Sequence, residues 1–174
     1  KDEDELINVF LTNGHADIII GTKMGYAVRF NENQVRNMGR AATGVRGVNL
    51  RADDHVVGAS VISNDQEVLV ITEKGYGKRT LASEYATKGR GGKGMKTANI
   101  TEKNGPLAGL MAVNGDEDLM IITNTGVIIR TNVANISQTG RATLGVKVMR
   151  LDKGAQIVTF TSVAAENEKE VDEE

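Results

Sequence analysis

The feature that most constrains this chain is a pattern that occurs three times, with a spacing of about fifty residues. Each copy begins with an apolar run, passes through a shared glycine into a second β-prone run, and ends at an arginine. These segments are residues 18–29, 68–79 and 119–130. The same register extends without a gap to a basic, glycine-rich block at residues 39–46, 89–96 and 140–147. A period of this length indicates a repeat architecture, in which neighbouring units cover each other's apolar faces.

Each copy predicts about four short strands and no packing helix. Two apolar runs joined by a short connection with glycine are typical of a β-hairpin whose glycine takes a positive φ. A further β-rich segment closes each copy, at residues 56–62, 107–113 and 157–163. Four-stranded units of this length that stack radially form a propeller, so we predict an all-β, propeller-like fold. Its blades are predicted at residues 17–66, 67–116 and 117–163.

The two ends of the chain differ from the repeats. Residues 1–16 predict an acidic end followed by a strand, at residues 6–11, that belongs to a preceding blade. Residues 164–174 predict a disordered acidic tail, which either solubilises the chain or competes with a polyanion for its basic body. Because closed propellers typically have four to eight blades, three blades predict part of a larger disc.

Charge is unevenly distributed along the chain. The formal net charge is −2, yet residues 6–165 carry 19 basic and 13 acidic side chains, and both ends are acidic. Electrostatic fields act locally, so a basic body favours a polyanionic partner. The chain has no Cys, which excludes disulfides and thiolate metal sites and favours a reducing, cytoplasmic setting. No apolar run approaches the roughly 18 residues of a membrane span, and no membrane partner is expected.

Motifs for enzymatic chemistry are weak. Residues 89–94 satisfy G-x-G-x-x-G, but no helix is predicted after them, which argues against a dinucleotide site. Lys96-Thr97 lacks the preceding glycine of a phosphate-binding loop. His15 and His55 are the only histidines, and neither recurs in the other copies. We expect no catalytic, metal or cofactor site in these residues, and a nucleotide-binding enzyme is the most distant alternative.

Basic residues recur at equivalent positions of every copy. One basic site on each blade would form a belt around a disc, and Arg and Lys suit phosphate contacts that position a duplex without reading its sequence. The alternative is that the same side chains only solvate the surface or cover apolar edges with their stems. The candidate DNA contacts are Arg29, Arg40, Arg46, Arg79, Lys88, Arg90, Lys93, Lys96, Arg130, Arg141 and Lys147.

Four segments of the chain, at residues 38–47, 72–80, 88–97 and 136–143, together resemble the C-terminal domain of bacterial DNA gyrase A. Gyrase belongs to the type IIA topoisomerases. The resemblance implies a six-bladed β-pinwheel, a propeller-like disc whose blades exchange strands. It further implies that duplex DNA wraps around a basic rim to serve ATP-driven negative supercoiling. ATP and magnesium would be used elsewhere in the holoenzyme, and the protein partners would be the remainder of gyrase A together with gyrase B.

The DNA-wrapping box of that family, Gln-Arg-Arg-Gly-Gly-Lys-Gly, has a partial counterpart at residues 88–94. Its last five residues are present, as Arg90, Gly91, Gly92, Lys93 and Gly94, whereas Lys and Gly replace the first two. This resembles the degenerate copy of a later blade, which implies that the chain holds the last three blades of six. The equivalent domain of topoisomerase IV is the nearest alternative, and a β-propeller protein-interaction module is the alternative from another class.

Overall fold

The computed structural model describes residues 4–165, which form short β-strands and three single-turn 3₁₀ helices. The strands are β1 (Asp17–Thr22), β2 (Tyr26–Asn31), β3 (Val56–Ile62), β4 (Glu67–Thr72), β5 (Tyr76–Leu81), β6 (Met95–Lys96), β7 (Leu107–Val113), β8 (Asp118–Thr123), β9 (Ile128–Asn132), β10 (Val146–Lys147) and β11 (Ile157–Val163). The 3₁₀ helices, Glu32–Gln34, Ala82–Glu84 and Val133–Asn135, each follow a hairpin directly. The all-β prediction is confirmed, and the three closing strands have the predicted bounds.

The strands form three antiparallel sheets, which we call blades one, two and three. Their orders are β3-β1-β2-β6, β10-β5-β4-β7 and β11-β8-β9. The outermost strand of a blade comes from the following copy, because β6 pairs with β2 and β10 pairs with β5. This corrects the reading of the residues alone, in which each copy supplies its own four strands, and confirms the strand exchange that the family resemblance implied. Within the described residues, blade three has three strands, and residues 45–46, the counterpart of β6, form none.

The hydrophobic core lies between the blades. Alternate side chains of β4 point to opposite faces, as strand geometry requires. Val68 and Val70 pack with Ile19 against blade one, whereas Leu69 and Ile71 pack against blade three. Every residue of β4 is consequently buried, although no single blade could bury both of its own faces.

The closing strands β3, β7 and β11 lie next to one another, with β7 in contact with both of the others, and we call the side of the molecule that they form the inner edge. Their backbones approach closely: a Cβ atom added to Gly58 would lie 2.5 Å from the carbonyl oxygen of Leu110. Residues 6–11 were predicted as a strand, and this prediction is wrong, because the described residues contain no strand before β1. Asn8 accepts a hydrogen bond from the Ala59 amide at 3.0 Å, but no ladder of backbone pairs follows.

Most of the predicted acidic tail, residues 166–174, lies outside the described residues. Between residues 4 and 165, no helix has the length and apolarity needed to cross a membrane.

Candidate nucleic-acid interface

Two of the basic blocks end at the edges of blades one and two that lie opposite β3 and β7. Sheet order places β6 and β10 farthest from the inner edge in their blades. These two strands form the ends of the blocks at residues 89–96 and 140–147. These two blocks therefore lie at one edge of the molecule, which we call the outer edge, and the block at residues 39–46 lies beside them, because Arg90 donates to the carbonyl of Arg46 and the Gly91 amide to that of Gly47.

The first recurring arginine has a structural role. Arg29 is only 4% exposed, and its Nε donates to the carboxylate of Asp17 at 2.9 Å. Its NH1 also donates to the carbonyl oxygens of Ala82 and Tyr85 in the next blade, at 2.9 and 3.3 Å. A guanidinium that is buried and bonded in this way cannot reach a phosphate, so the predicted DNA contact of Arg29 is wrong.

Asp17 completes this buried pair as an anion. Burial disfavours its ionised form, but hydrogen bonds from Asn31, Thr87 and Arg29, together with the positive charge of Arg29, hold the pKa of the Asp17 carboxyl below its usual value. The counterparts in the other blades repeat the arrangement. Arg79 pairs with Glu67 and donates to the Ile136 carbonyl at 2.8 Å, and Arg130 pairs with Asp118 at 2.7 Å. The recurrence of this arginine therefore reflects the hairpin ion pair and, in blades one and two, the link to the next blade.

The second recurring arginine links one block to the next. Arg90 donates from NH1 to the carbonyl of Arg46 at 2.5 Å, and Arg141 donates from NH1 to the carbonyl of Lys96 at 3.1 Å. Both side chains are half-buried, whereas Arg40, their counterpart in the first copy, is exposed. The guanidinium groups of Arg90 and Arg141 thus hold the outer edge together, with part of their surface facing solvent.

The remaining predicted contacts are exposed, as phosphate binding requires. A cavity of about 350 Å³ between β2 and the second block is lined by Lys88 and Lys93. Lys96 and Lys147 are the cross-strand neighbours of Tyr26 and Tyr76. The exposed basic side chains of the blocks are Arg40, Arg46, Lys88, Lys93, Lys96 and Lys147.

The last glycine of the box-like motif and its counterpart in the third copy serve strand exchange. Gly94 has a φ of 75°, and a Cβ atom there would lie 2.7 Å from the carbonyl oxygen of Ala27. Gly145 repeats this, with a φ of 78° and a distance of 2.7 Å to the carbonyl oxygen of Gly77. Because these two glycines have no side chain, β6 and β10 can lie close to the neighbouring strand. The local role of both glycines is therefore to permit strand pairing.

A buried lysine was missed in the sequence. Lys78 is fully buried in β5, and its Nζ donates to the carbonyl of Gly140 at 2.7 Å, to that of Arg141, and to Thr143 Oγ1 at 3.1 Å. Burial lowers the pKa of the Lys78 ammonium to about 8. The sequence did contain a signal for this burial: the register aligns Lys78 with Val28 and Ile129, which are apolar in the other two copies.

Repeated hairpins, exchanged outer strands and a basic outer edge define the class of propeller-like β-pinwheels. Within this class, the chain belongs to the DNA gyrase C-terminal domain family. The family model described as "DNA gyrase C-terminal domain, beta-propeller" matches residues 16–63, 66–114 and 117–164, one match for each blade.

Similar proteins agree with this assignment. DNA gyrase A of Streptococcus pneumoniae strain R6 is 75% identical over 98% of this chain and 21% of its own length. The Staphylococcus aureus protein of the same name is 50% identical over the whole chain and 20% of its length. This chain thus spans about a fifth of the curated relatives it matches.

Two solved structures share the fold. A DNA gyrase A C-terminal domain has a TM-score of 0.80 at 27% identity and covers 85% of this chain, and the match extends over 50% of the solved chain. The C-terminal domain of a DNA topoisomerase IV has a TM-score of 0.86 at 26% identity, with 92% and 50% covered. The similarity in fold extends to both enzymes, whereas the family model and the curated relatives favour gyrase.

Proposed function

We propose that this chain binds duplex DNA along the outer edge without reading its sequence. The observation that carries the proposal is the position of the exposed basic side chains, which follow one curved edge from block to block. Lys and Arg at such an edge suit phosphates, whose charge is independent of the bases. A charged edge that curves also favours bent DNA, because added contacts offset a bending cost of order 1–6 kcal/mol.

The family membership supports a more specific proposal. DNA held on this edge would be bent or wrapped in the service of ATP-dependent negative supercoiling by DNA gyrase. The remainder of gyrase A and the whole of gyrase B would be the protein partners, ATP and magnesium would act in those parts, and the setting would be the cytoplasm. The edge residues of this chain would hold the duplex and perform no bond cleavage.

Fluorescence anisotropy of labelled duplexes tests DNA binding by the 174-residue chain. We expect equal affinity for duplexes of unrelated sequence. About six phosphate contacts predict a loss of about a thousandfold between about 50 and 200 mM salt. Lys93→Ala combined with Lys96→Ala should weaken binding at an unchanged melting temperature, because both side chains are exposed. Absence of binding at low salt, or binding that is independent of salt, would contradict the proposal and favour a protein-interaction module.

A further inference from the structure

A cavity of about 370 Å³ opens where blades two and three meet. Its wall includes Lys74, Tyr76, Lys103 and Lys147, and no acidic residue is among the described residues that line it. We call it the Tyr76 pocket. Three ammonium groups on one concave surface repel each other, and an anion bound between them would relieve that repulsion.

The Tyr76 ring brings together two lysines from different parts of the chain. Lys147 lies opposite Tyr76 in the pairing of β5 with β10, with its Nζ 5.3 Å from the ring centroid. Lys103, from the turn before β7, places its Nζ 5.9 Å from the same centroid. Lys74 donates to the carbonyl of Glu102, next to Lys103. Contacts with the ring face attract ammonium groups without using their N–H donors, which stay available to a ligand.

The equivalent junction between blades one and two is closed. The guanidinium carbon of Arg51 lies 3.3 Å from the Tyr26 centroid, and Arg51 NH1 donates to the carbonyl of Lys93 at 2.7 Å. Met24 stands at the position of Lys74, and the third copy has Val127 in place of the tyrosine. Among the described residues, a tyrosine ring that no arginine covers, with three lysines beside it, is therefore a feature of the junction at Tyr76 and does not follow from the repeat alone.

We propose that the Tyr76 pocket is a phosphate-binding site, filled by a backbone phosphate when a duplex lies on the outer edge. The identity of the ligand as DNA rests on the proposed function, whereas the phosphate chemistry rests on the three lysines. Lysine ammonium groups bind phosphate as point charges and can share its oxygens. A phosphate bound to Lys103 and Lys147 would also link the second and third copies of the repeat, since Lys103 belongs to the second copy and Lys147, in β10, to the third.

Duplex binding by a double variant tests the site, because Lys74 and Lys103 lie outside the basic blocks. We expect Lys74→Ala combined with Lys103→Ala to reduce the slope of log affinity against log salt by about 2. The matched control is Arg36→Ala combined with Lys153→Ala, which removes the same charge from exposed positions outside the pocket. The control should change the slope by less than half as much, at equal melting temperatures. Equal effects of the two variants would overturn the site.

A second measurement uses inorganic pyrophosphate and does not depend on DNA binding. In ¹H–¹³C spectra of the lysine ε-methylene groups, we expect Lys74, Lys103 and Lys147 to shift with one common midpoint, and Lys96 to shift less. Uniform shifts of all exposed lysines would contradict the pocket. Saturable pyrophosphate binding without duplex binding would support the phosphate site and contradict the proposed DNA-binding function. If the Lys74→Ala, Lys103→Ala variant binds duplex DNA with the affinity and salt dependence of the native chain, the proposed function stands and the pocket is not a phosphate site.

Discussion

Blades two and three contain the same hairpin and closing strand but differ in how they are covered. Blade two has a neighbour on each face, and all of β4 is buried. In β8 of blade three, buried and half-buried residues alternate. In blade two the second hairpin strand, β5, is paired with β10, whereas in blade three Ile128 of the equivalent strand β9 is 56% exposed and Val127 before it is 47% exposed. The repeat sequence therefore determines the strands, while the neighbouring copies determine how much of each strand is buried.

Truncation of a buried isoleucine should produce the largest difference in unfolding free energy between blades two and three. Ile71 in β4 is fully buried between blades two and three, and Ile122 is its half-buried counterpart in β8. We expect Ile71→Ala to lower the free energy of unfolding by about 2–5 kcal/mol, because it leaves a cavity in the core. Ile122→Ala should cost less than half as much. Urea denaturation of both variants measures the difference, and equal losses would mean that the two blades are equally covered.

Strand exchange is tested by two glycines that occupy equivalent positions. Gly145 and Gly44 both have a positive φ, but only at Gly145 would a Cβ atom press on a neighbouring backbone, the carbonyl of Gly77. Gly44→Ala should cost about 1 kcal/mol from its φ alone. Gly145→Ala should cost about 1–3 kcal/mol more, because β10 must move away from β5. Thermal unfolding gives both values, and similar values would show that β10 adds little to blade two.

Lys78, which has no charged counterpart in blades one and three, should make stability depend on pH. Its pKa is about 8 in the folded chain and near 10.5 in the unfolded chain. Between these values the unfolded chain binds more protons, so stability should rise with pH, by on the order of 2 kcal/mol from about pH 8 to 10. The pKa of Tyr85, raised by burial to about 12, reverses this trend above pH 10, where the unfolded chain loses the Tyr85 proton first.

Denaturation of Lys78→Met over this pH range measures the contribution of Lys78. The variant should lose most of the rise, whereas Lys93→Met, which removes an exposed lysine, should retain it. A native chain whose stability is constant from about pH 8 to 10 would show that Lys78 remains charged in the folded state.

Much of the fold could be predicted from the sequence because local patterns determine it. Period-two apolar runs and the recurring Gly25, Gly75 and Gly126 were sufficient to locate the hairpins. Strand exchange was not predictable from the residues alone, because a two-residue strand such as β6 carries too little periodicity to indicate its partner. The family resemblance, which implied exchange, supplied that information.

The candidate site was predicted less completely than the fold. Recurrence placed Lys93 and Lys96 correctly at an exposed edge, but it could not separate them from Arg29, which recurs because a buried carboxylate needs a partner. Repetition reports a shared structural environment, and that environment can be an ion pair as well as a ligand site. Lys103 was missed for the opposite reason, since its relation to Tyr76 occurs at a single junction.

The smallest effects are expected at the uncovered edge of blade three. Ile128→Thr should change the free energy of unfolding by less than about 0.5 kcal/mol, because over half of this side chain already faces solvent. Ala27, its fully buried counterpart in blade one, lies opposite Met95 of β6. Ala27→Thr should therefore cost about 1–3 kcal/mol through overpacking and a buried hydroxyl. If Ile128→Thr costs as much as Ala27→Thr in urea denaturation of the 174-residue chain, then a partner covers β9 in solution, and blade three is as enclosed as blade two.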